Sequence, residues 1–309
     1  MKKSKRILFF GNERLATGVS TDIPIFNGLI EAGYEISALV ISQDGLGSNK
    51  KLQDPEIIKV AKKLNIKIIN PGKLVDAVDE IKSLKVEVAI LVAFGKIVPK
   101  VILDIFPVGI INVHPSLLPL HRGPTPIESF IRSGETKTGV TVMKLASGMD
   151  SGPIYTQQQV LLTDNETKQE LTDKLNLLGR DMILENIDNI LSGSLKAIDQ
   201  PETGATYDKL ISKQDGIIDW NYEACQINRD IRAFKGWPRS RTTINNIDIV
   251  ITQAHIENSK GETGKIQIKD RQIGISAKNG LVILDKVIPS GKNEMSGADF
   301  LLGYKTRIL

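Results

Sequence analysis

A chain with one cysteine, Cys225, cannot form an intramolecular disulfide, so its stability does not depend on an oxidising compartment. It also lacks a long apolar run, since nothing approaches the ~18 to 20 residues needed to cross a bilayer. The basic start Met1-Lys-Lys-Ser-Lys-Arg6 is followed by only four apolar residues before Gly11-Asn12-Glu13-Arg14. That is too short for the core of a secretion signal, and no small-residue cleavage site follows. There is no internal repeat and no low-complexity segment. The net charge is only +4; residues 1–200 carry 24 basic and 23 acidic side chains, and residues 201–309 carry 16 and 13. So small a surplus is no signature of a polyanionic partner by itself. What these absences leave is a soluble globular chain of 309 residues, long enough for about two domains, with the cytoplasm as the expected compartment.

The first half alternates strand and helix signals, the mark of a mostly parallel sheet with helices on its faces. Strands are expected at Arg6–Phe10, Tyr34–Ile41, Ile66–Ile69, Val86–Phe94, Gly109–His114, Thr138–Leu145 and Ile154–Leu162. Between them, Asp22-Ile-Pro24 opens a helix that Gly33 closes, with Asp22 expected to supply the capping oxygen. Further helices are expected at Asp54–Leu64, Lys73–Leu84, Pro99–Phe106, Pro126–Ser133 and Asn165–Leu191. After Gly193 the chemistry changes, and Pro201, Gly204 and several polar residues read as a linker over 194–211. Short β-rich runs follow at Ile247–Thr252, Gly264–Ile268, Ile273–Ser276 and Leu281–Val287. The expected architecture is therefore a Rossmann-like α/β domain over 1–193 and a small OB-like β-barrel domain over 212–309.

The stretch that carries chemistry is Ile111–Asp150. Asn112 and His114 are two apart on one strand, so their side chains leave the same face. They stand at the carboxyl end of that strand, where open α/β sheets place their ligand crevice. An amide N–H beside an imidazole suits acyl transfer through a tetrahedral oxyanion, since both can donate to the developing oxygen. Asp150, in a Gly-bracketed loop, is placed to favour the imidazolium form of such a histidine. Residue types alone leave other readings open: Asn112 capping a turn, His114 a satisfied core histidine, Asp150 a solvated acid. His121 beside His114 would suggest a metal, yet no carboxylate or thiolate at ligand spacing joins them. A Ser116–His114–Asp150 triad lacks the strained turn that a serine nucleophile requires.

The string Ile111-Asn-Val-His-Pro-Ser-Leu-Leu-Pro119, then Arg122-Gly123 and Pro126-Ile127, closely resembles the signature of folate-dependent formyltransferases. Thr138-Gly-Val-Thr-Val-Met143 leading into Gly148-Met-Asp-Ser-Gly152 does so as well, and Val92-Ala-Phe-Gly95 through Ile97-Val-Pro99 resembles the strand and loop beside the pterin. The resemblance implies a catalytic trio of Asn112, His114 and Asp150. It implies a folate site lined by Ser116, Leu117, Leu118 and Pro119. The donor implied is 10-formyltetrahydrofolate, used as a substrate and with no metal.

The C-terminal part narrows the choice. Tyr207, Lys209-Leu210, Asp219-Trp220, Ile231-Arg-Ala-Phe234, Trp237-Pro238, Ser290-Gly-Lys292 and Met295-Ser296 resemble the members of that family that act on methionyl-tRNA. The resemblance implies formylation of methionyl-tRNA for translation initiation, by a monomer that needs no membrane. Alternatives within the family are transfer to an amino sugar nucleotide and hydrolysis of formyltetrahydrofolate; outside it, an idle binding protein of the same fold. Two departures bear on the tRNA. Gly11-Asn12-Glu13-Arg14 stands where a Gly-Thr-Pro turn is usual, and the loop Ser42–Asp54 lacks the arginine expected there, having Lys50-Lys51 instead. A basic run, Arg229, Arg232, Lys235, Arg239 and Arg241, broken by one acid, Asp230, is the expected phosphate-contacting surface of the second domain.

Overall fold

Short apolar runs separated by helix signals build a seven-stranded sheet. Its strands are β1 (Arg6–Gly11), β2 (Glu35–Val40), β3 (Ile68–Ile69), β4 (Val88–Val92), β5 (Gly109–His114), β6 (Lys137–Lys144) and β7 (Ile154–Leu161). The computed structural model describes residues 5–42 and 54–308, so Lys50-Lys51 and most of their loop lie outside the described residues. The strand order is β3-β2-β1-β4-β5-β6-β7. β1 to β5 run parallel, while β6 pairs antiparallel with β5, and β7 with β6. Order reverses between β1 and β4, the place where doubly wound sheets open a ligand crevice at their carboxyl edge. Leu8 and Phe10, Ala38 and Val40, and Ala89 and Leu91 share one core. The alternate residues Ile7 and Phe9 are also buried, which is why these strands read as continuous apolar runs.

The helices are α1 (Pro24–Glu31), α2 (Glu56–Lys63), α3 (Val78–Ser83), α4 (Lys100–Leu103), α5 (Pro126–Ser133) and α6 (Lys168–Ser192). Lys73–Leu84 is not one helix: a 3-10 turn at Leu74–Ala77 runs into α3. The cap of α1 also differs from expectation. Ile23, not Asp22, holds the N-cap position, at φ 48° and without a side-chain cap bond. The carboxylate of Glu13 does the capping instead, accepting from the amides of Ile25 at 3.0 Å and Phe26 at 2.5 Å. A helix start presents unpaired N–H groups and a positive dipole end, and one carboxylate answers both. Glu13 is fully buried, and lost hydration outweighs those two hydrogen bonds, pushing its carboxyl up to about 7.

The chain divides into two compact units. The first takes the described residues up to Pro126, then Lys137–Leu162 and Gln169–Lys209; the second takes Ile127–Thr136, Thr163–Lys168 and the chain from Leu210 onward. In the second unit an all-antiparallel sheet runs in the order β10-β11-β12-β9-β8, with β13 on β12. These strands are β8 (Ser240–Ile244), β9 (Ile247–Glu257), β10 (Ile266–Lys269), β11 (Gln272–Ala277), β12 (Gly280–Pro289) and β13 (Met295–Ser296). Two helices not foreseen from sequence, α7 (Ala224–Ala233) and α8 (Gly297–Ile308), pack Ile227, Ile231 and Phe300 into its core. Among the described residues no helix is long and apolar enough to cross a membrane.

Candidate active site

β5 carries Asn112 and His114 to the carboxyl edge of the first sheet on one face, as the spacing requires. Both side chains are nearly buried. Asp150 reaches them from the turn between β6 and β7, where its φ of 46° is a left-handed conformation that aspartate tolerates better than most residues. Its Oδ1 lies 3.5 Å from Nδ2 of Asn112 and 3.7 Å from Nδ1 of His114. Its Oδ2 accepts the amide of Gly123 at 2.9 Å. Of the three side chains named from sequence, Asn112 and His114 therefore converge on the carboxylate of the third, Asp150.

The remaining nitrogen of His114 is also committed. Nε2 stands 2.9 Å from the carbonyl oxygen of His121. A carbonyl only accepts, so Nε2 carries hydrogen in either charge state, and Nδ1 is the nitrogen left for chemistry. If the ring is neutral, Nδ1 turns a lone pair toward Asp150; if charged, it turns an N–H. An imidazolium N–H and an amide N–H beside one carboxylate make a donor pair suited to an oxyanion. His121 itself does not join His114 as a ring-to-ring pair, because its imidazole is bonded to Asp208 at 3.1 Å.

Ser116–Pro119 forms a tight turn directly after β5. Thr141 on β6 pins it: its hydroxyl donates to the carbonyl of Ser116 at 2.7 Å and accepts from the amide of Leu118 at 3.1 Å. Gln157 on β7 donates to the same hydroxyl at 2.8 Å and to the carbonyl of Leu118 at 2.7 Å. Ser116 turns inward and donates to the carbonyl of Leu120 at 2.7 Å. Gly139 lets Leu117 lie against β6, since a β-carbon there would come within 2.6 Å of Leu117 Cδ2. These contacts give the Thr138-Gly-Val-Thr141 string a physical reason: it is the bed of the turn.

Gln200 and Glu202 carry no signal in the sequence, and Arg122, Gly123 and Tyr207, which stand in the motifs, turn out to support the site. Gln200 donates to the carbonyls of Asp150 at 2.8 Å and Gly152 at 2.7 Å, which fixes the Asp150 turn. Arg122 is fully buried and holds Gln200, Glu202 and the Tyr207 hydroxyl. Gly123 has φ 119°, and a β-carbon there would sit 2.8 Å from the carbonyl of Asp208. Only glycine can place its amide on Asp150 in that fold of the chain. Residues 200–208 thus brace the site, although their composition reads as a linker.

The basic run of the second unit is divided. Arg229 and Arg232 both bind Asp164, at 2.6 and 2.8 Å, and Arg232 also donates to the carbonyl of Glu166 at 2.9 Å. Arg241 donates to the carbonyl of Lys213. Lys235 and Arg239 are exposed, Arg239 donating to the carbonyl of Gly236 at 3.2 Å.

Residues 24–187 match the family described as Formyl transferase, and residues 210–305 match Formyl transferase, C-terminal domain. The chain is 34% identical over 306 residues to the methionyl-tRNA formyltransferase of Thermodesulfovibrio yellowstonii, covering 98% of this chain and 97% of that one. It is 32% identical over 308 residues to the methionyl-tRNA formyltransferase of Roseiflexus castenholzii, covering 98% and 97%. Among solved structures, HypX from Aquifex aeolicus in complex with tetrahydrofolic acid superposes with a TM-score of 0.67 at 16% identity. That match covers 96% of this chain and 46% of HypX, so the chain spans about half the length of that protein. A methionyl-tRNA formyltransferase from Clostridium thermocellum superposes with a TM-score of 0.54 at 19% identity, covering 82% and 95%. The two structural likenesses speak for the fold.

Proposed function

The chain belongs to the formyl transferase family, and we propose that it formylates the α-amine of methionyl-tRNA from 10-formyltetrahydrofolate, acting in the cytoplasm as a monomer. The product, formylmethionyl-tRNA, serves translation initiation. The acceptor follows from relatives at 32–34% identity over nearly the whole of both chains. The single observation that carries the chemistry is the convergence of Asn112 and His114 on Asp150.

The amine nitrogen attacks the formyl carbon held on nitrogen 10 of the folate, and the carbonyl electrons move onto oxygen. Asn112 Nδ2–H and protonated His114, through Nδ1–H, donate to that oxyanion, while Asp150 faces both and orients them. The oxygen lone pair then re-forms the carbonyl and the bond to nitrogen 10 breaks. The proton leaving the amine ends on nitrogen 10, so tetrahydrofolate departs neutral at that atom. Ser116–Pro119 lines the folate site, presenting main-chain groups whose positions Thr141 and Gln157 fix. The first unit holds this chemistry, and the second unit binds the tRNA.

The test is a comparison of acceptors with 10-formyltetrahydrofolate as donor: methionyl-tRNA, an amino sugar nucleotide, and water alone. Formyl transfer to methionyl-tRNA is the expected outcome. Faster transfer to the sugar amine, or hydrolysis that no acceptor accelerates, would reject the assignment.

A further inference from the structure

Both titratable members of the trio rest on one short loop. His121 offers its carbonyl to Nε2 of His114 at 2.9 Å, and Gly123 offers its amide to Oδ2 of Asp150 at 2.9 Å. Yet the loop has no intrinsic reason to keep this shape. His121 sits at φ 57°, a left-handed conformation that a residue with a β-carbon adopts at a cost. Something else must hold it.

What holds it is the strand-like stretch Thr206–Asp208. The amide of His121 donates to Thr206 Oγ1 at 2.7 Å, and that of Arg122 to the carbonyl of Thr206 at 2.9 Å. The amide of Asp208 returns to the carbonyl of Arg122 at 2.7 Å. The His121 ring closes the clamp through Nδ1, which stands 3.1 Å from Asp208 Oδ1. The two side chains are 13% and 9% exposed. Asp208 Oδ2 is buried and accepts no hydrogen bond among the described residues.

We propose that His121 and Asp208 form a positioning pair for His114. By anchoring the His121 ring, Asp208 keeps peptide 121 in its left-handed turn with the carbonyl on Nε2 of His114. The ring of His114 is thereby held in one orientation, with Nδ1 toward Asp150 and the reacting carbonyl. His121 touches no reacting atom in this scheme; it acts through its own main chain. The proposal rests on the reading of His114 as a hydrogen-bond donor in formyl transfer.

The chain has three histidines, His114, His121 and His255, so a spectrum of ¹⁵N-labelled imidazoles contains three rings. In Asp208→Ala the carbonyl of His121 is released. kcat should fall about 10-fold to 100-fold, the penalty of a slightly misplaced group, with KM for the folate little changed. The His114 Nε2 resonance should move toward that of an unbonded or exchanging ring. In Asp208→Asn the amide oxygen still accepts from His121, so kcat and the resonance should stay near the parent values. If Asp208→Ala does not fold, Thr206→Val removes only the hydroxyl beneath the His121 amide, and should shift the same resonance and lower kcat. Parental kcat and parental His114 resonances in the folded Ala or Val variant would overturn the pair. So would equal losses in Asp208→Ala and Asp208→Asn with the His114 ring unmoved, since that is general packing damage. The spectra are recorded without substrates. A wild-type chain with no formyl transfer would therefore sink the functional reading while the spectra still judged the pair.

Discussion

Asp150 and Asp164 are two aspartates in left-handed backbone, at φ 46° and 61°, each in a loop bordering β7. They are used in opposite ways. Asp164 is saturated: Arg229 and Arg232 close on it at 2.6 to 3.3 Å. Burial works to raise its carboxyl and the two guanidiniums outweigh burial, so it is held below the usual carboxylate range. Asp150 has one firm bond, from Gly123, and two loose contacts, to Asn112 and His114. Its Oδ1 faces the amide and the imidazole of the site rather than a pair of guanidiniums, so it is placed to orient those two groups. The lesson is that a carboxylate's partners, and how tightly they hold it, separate a brace from a tool.

The largest effect should come from testing the two acids side by side. Asp150→Asn keeps the shape but removes the charge facing His114, and should cut kcat by about 10² to 10⁴ without moving the urea midpoint. His114→Ala should do the same, and Asn112→Ala should cost about 10² to 10³ with folate affinity nearly intact. His121→Ala should be milder than His114→Ala. An Asp150→Asn chain that loses stability while keeping its turnover would reverse the roles assigned to the two aspartates.

Much of this contrast was legible in the sequence, and the limit is instructive. β5 has the bounds read from the chain, because Gly109–His114 is a short apolar run whose period of two also places Asn112 and His114 together. α5 likewise matches Pro126–Ser133. What could not be read was long-range: Gln200, Thr206 and Asp208 reach the site through the fold, and nothing local marks them. The cap of α1 is a similar case, since Asp22 has the right residue type and Glu13, eleven residues before Pro24, has the right position. In the second unit α7 hid inside a basic run; Ala224, Ile227 and Ile231 have helical spacing, but the charges drew the reading toward a surface. β8, Ser240–Ile244, has one strongly apolar residue and is a strand because β9 pairs with it.

Glu13 sharpens the comparison by sign. Its folded pKa, about 7, lies above the ordinary 4.5, so the protein binds a proton there that the unfolded chain releases. That contribution is fully present below pH 4.5 and is lost as pH rises through 7, a loss of roughly 3 kcal/mol at most. Asp164 has the opposite sign: its contribution is present above the usual aspartate range and disappears as pH falls through its lowered value. Urea unfolding at pH 5.5 and pH 8 checks the first. Glu13→Gln should abolish the part of the decline that falls between those values, and a decline identical to the parent's would remove Glu13 as its source.

A moderate effect is expected from Asp164→Ala, which strands two partly buried guanidiniums. The cost should lie between those of exposed and buried ion pairs, about 1 to 3 kcal/mol, read from denaturant unfolding. Formyl-transfer chemistry, followed as kcat with saturating substrates, should survive in the fraction that folds. A kcat loss as deep as that of Asp150→Asn would show that the brace is also part of the machinery.

The smallest effect concerns the tRNA surface, and it follows from how Asp164 divides the basic run. Five basic residues crowd Arg229–Arg241, and by sequence alone all of them are phosphate ligands in waiting. Arg229 and Arg232 are already spent on Asp164, and Arg241 turns to a main-chain carbonyl of its own unit. Lys235 and Arg239 are exposed and project from the turn between α7 and β8. Each phosphate a cation neutralises releases a counterion, so each contact adds about 0.7 to 0.9 to the slope of log affinity against log salt. Lys235→Ala with Arg239→Ala should therefore flatten that slope for methionyl-tRNA by about one to two, while folate affinity stays put. Arg229→Ala should leave the slope alone and lower the urea midpoint instead. A slope that falls with Arg229→Ala and ignores Lys235 and Arg239 would mean that Asp164 gives up its arginines to the nucleic acid, and that the saturated acid is the movable one.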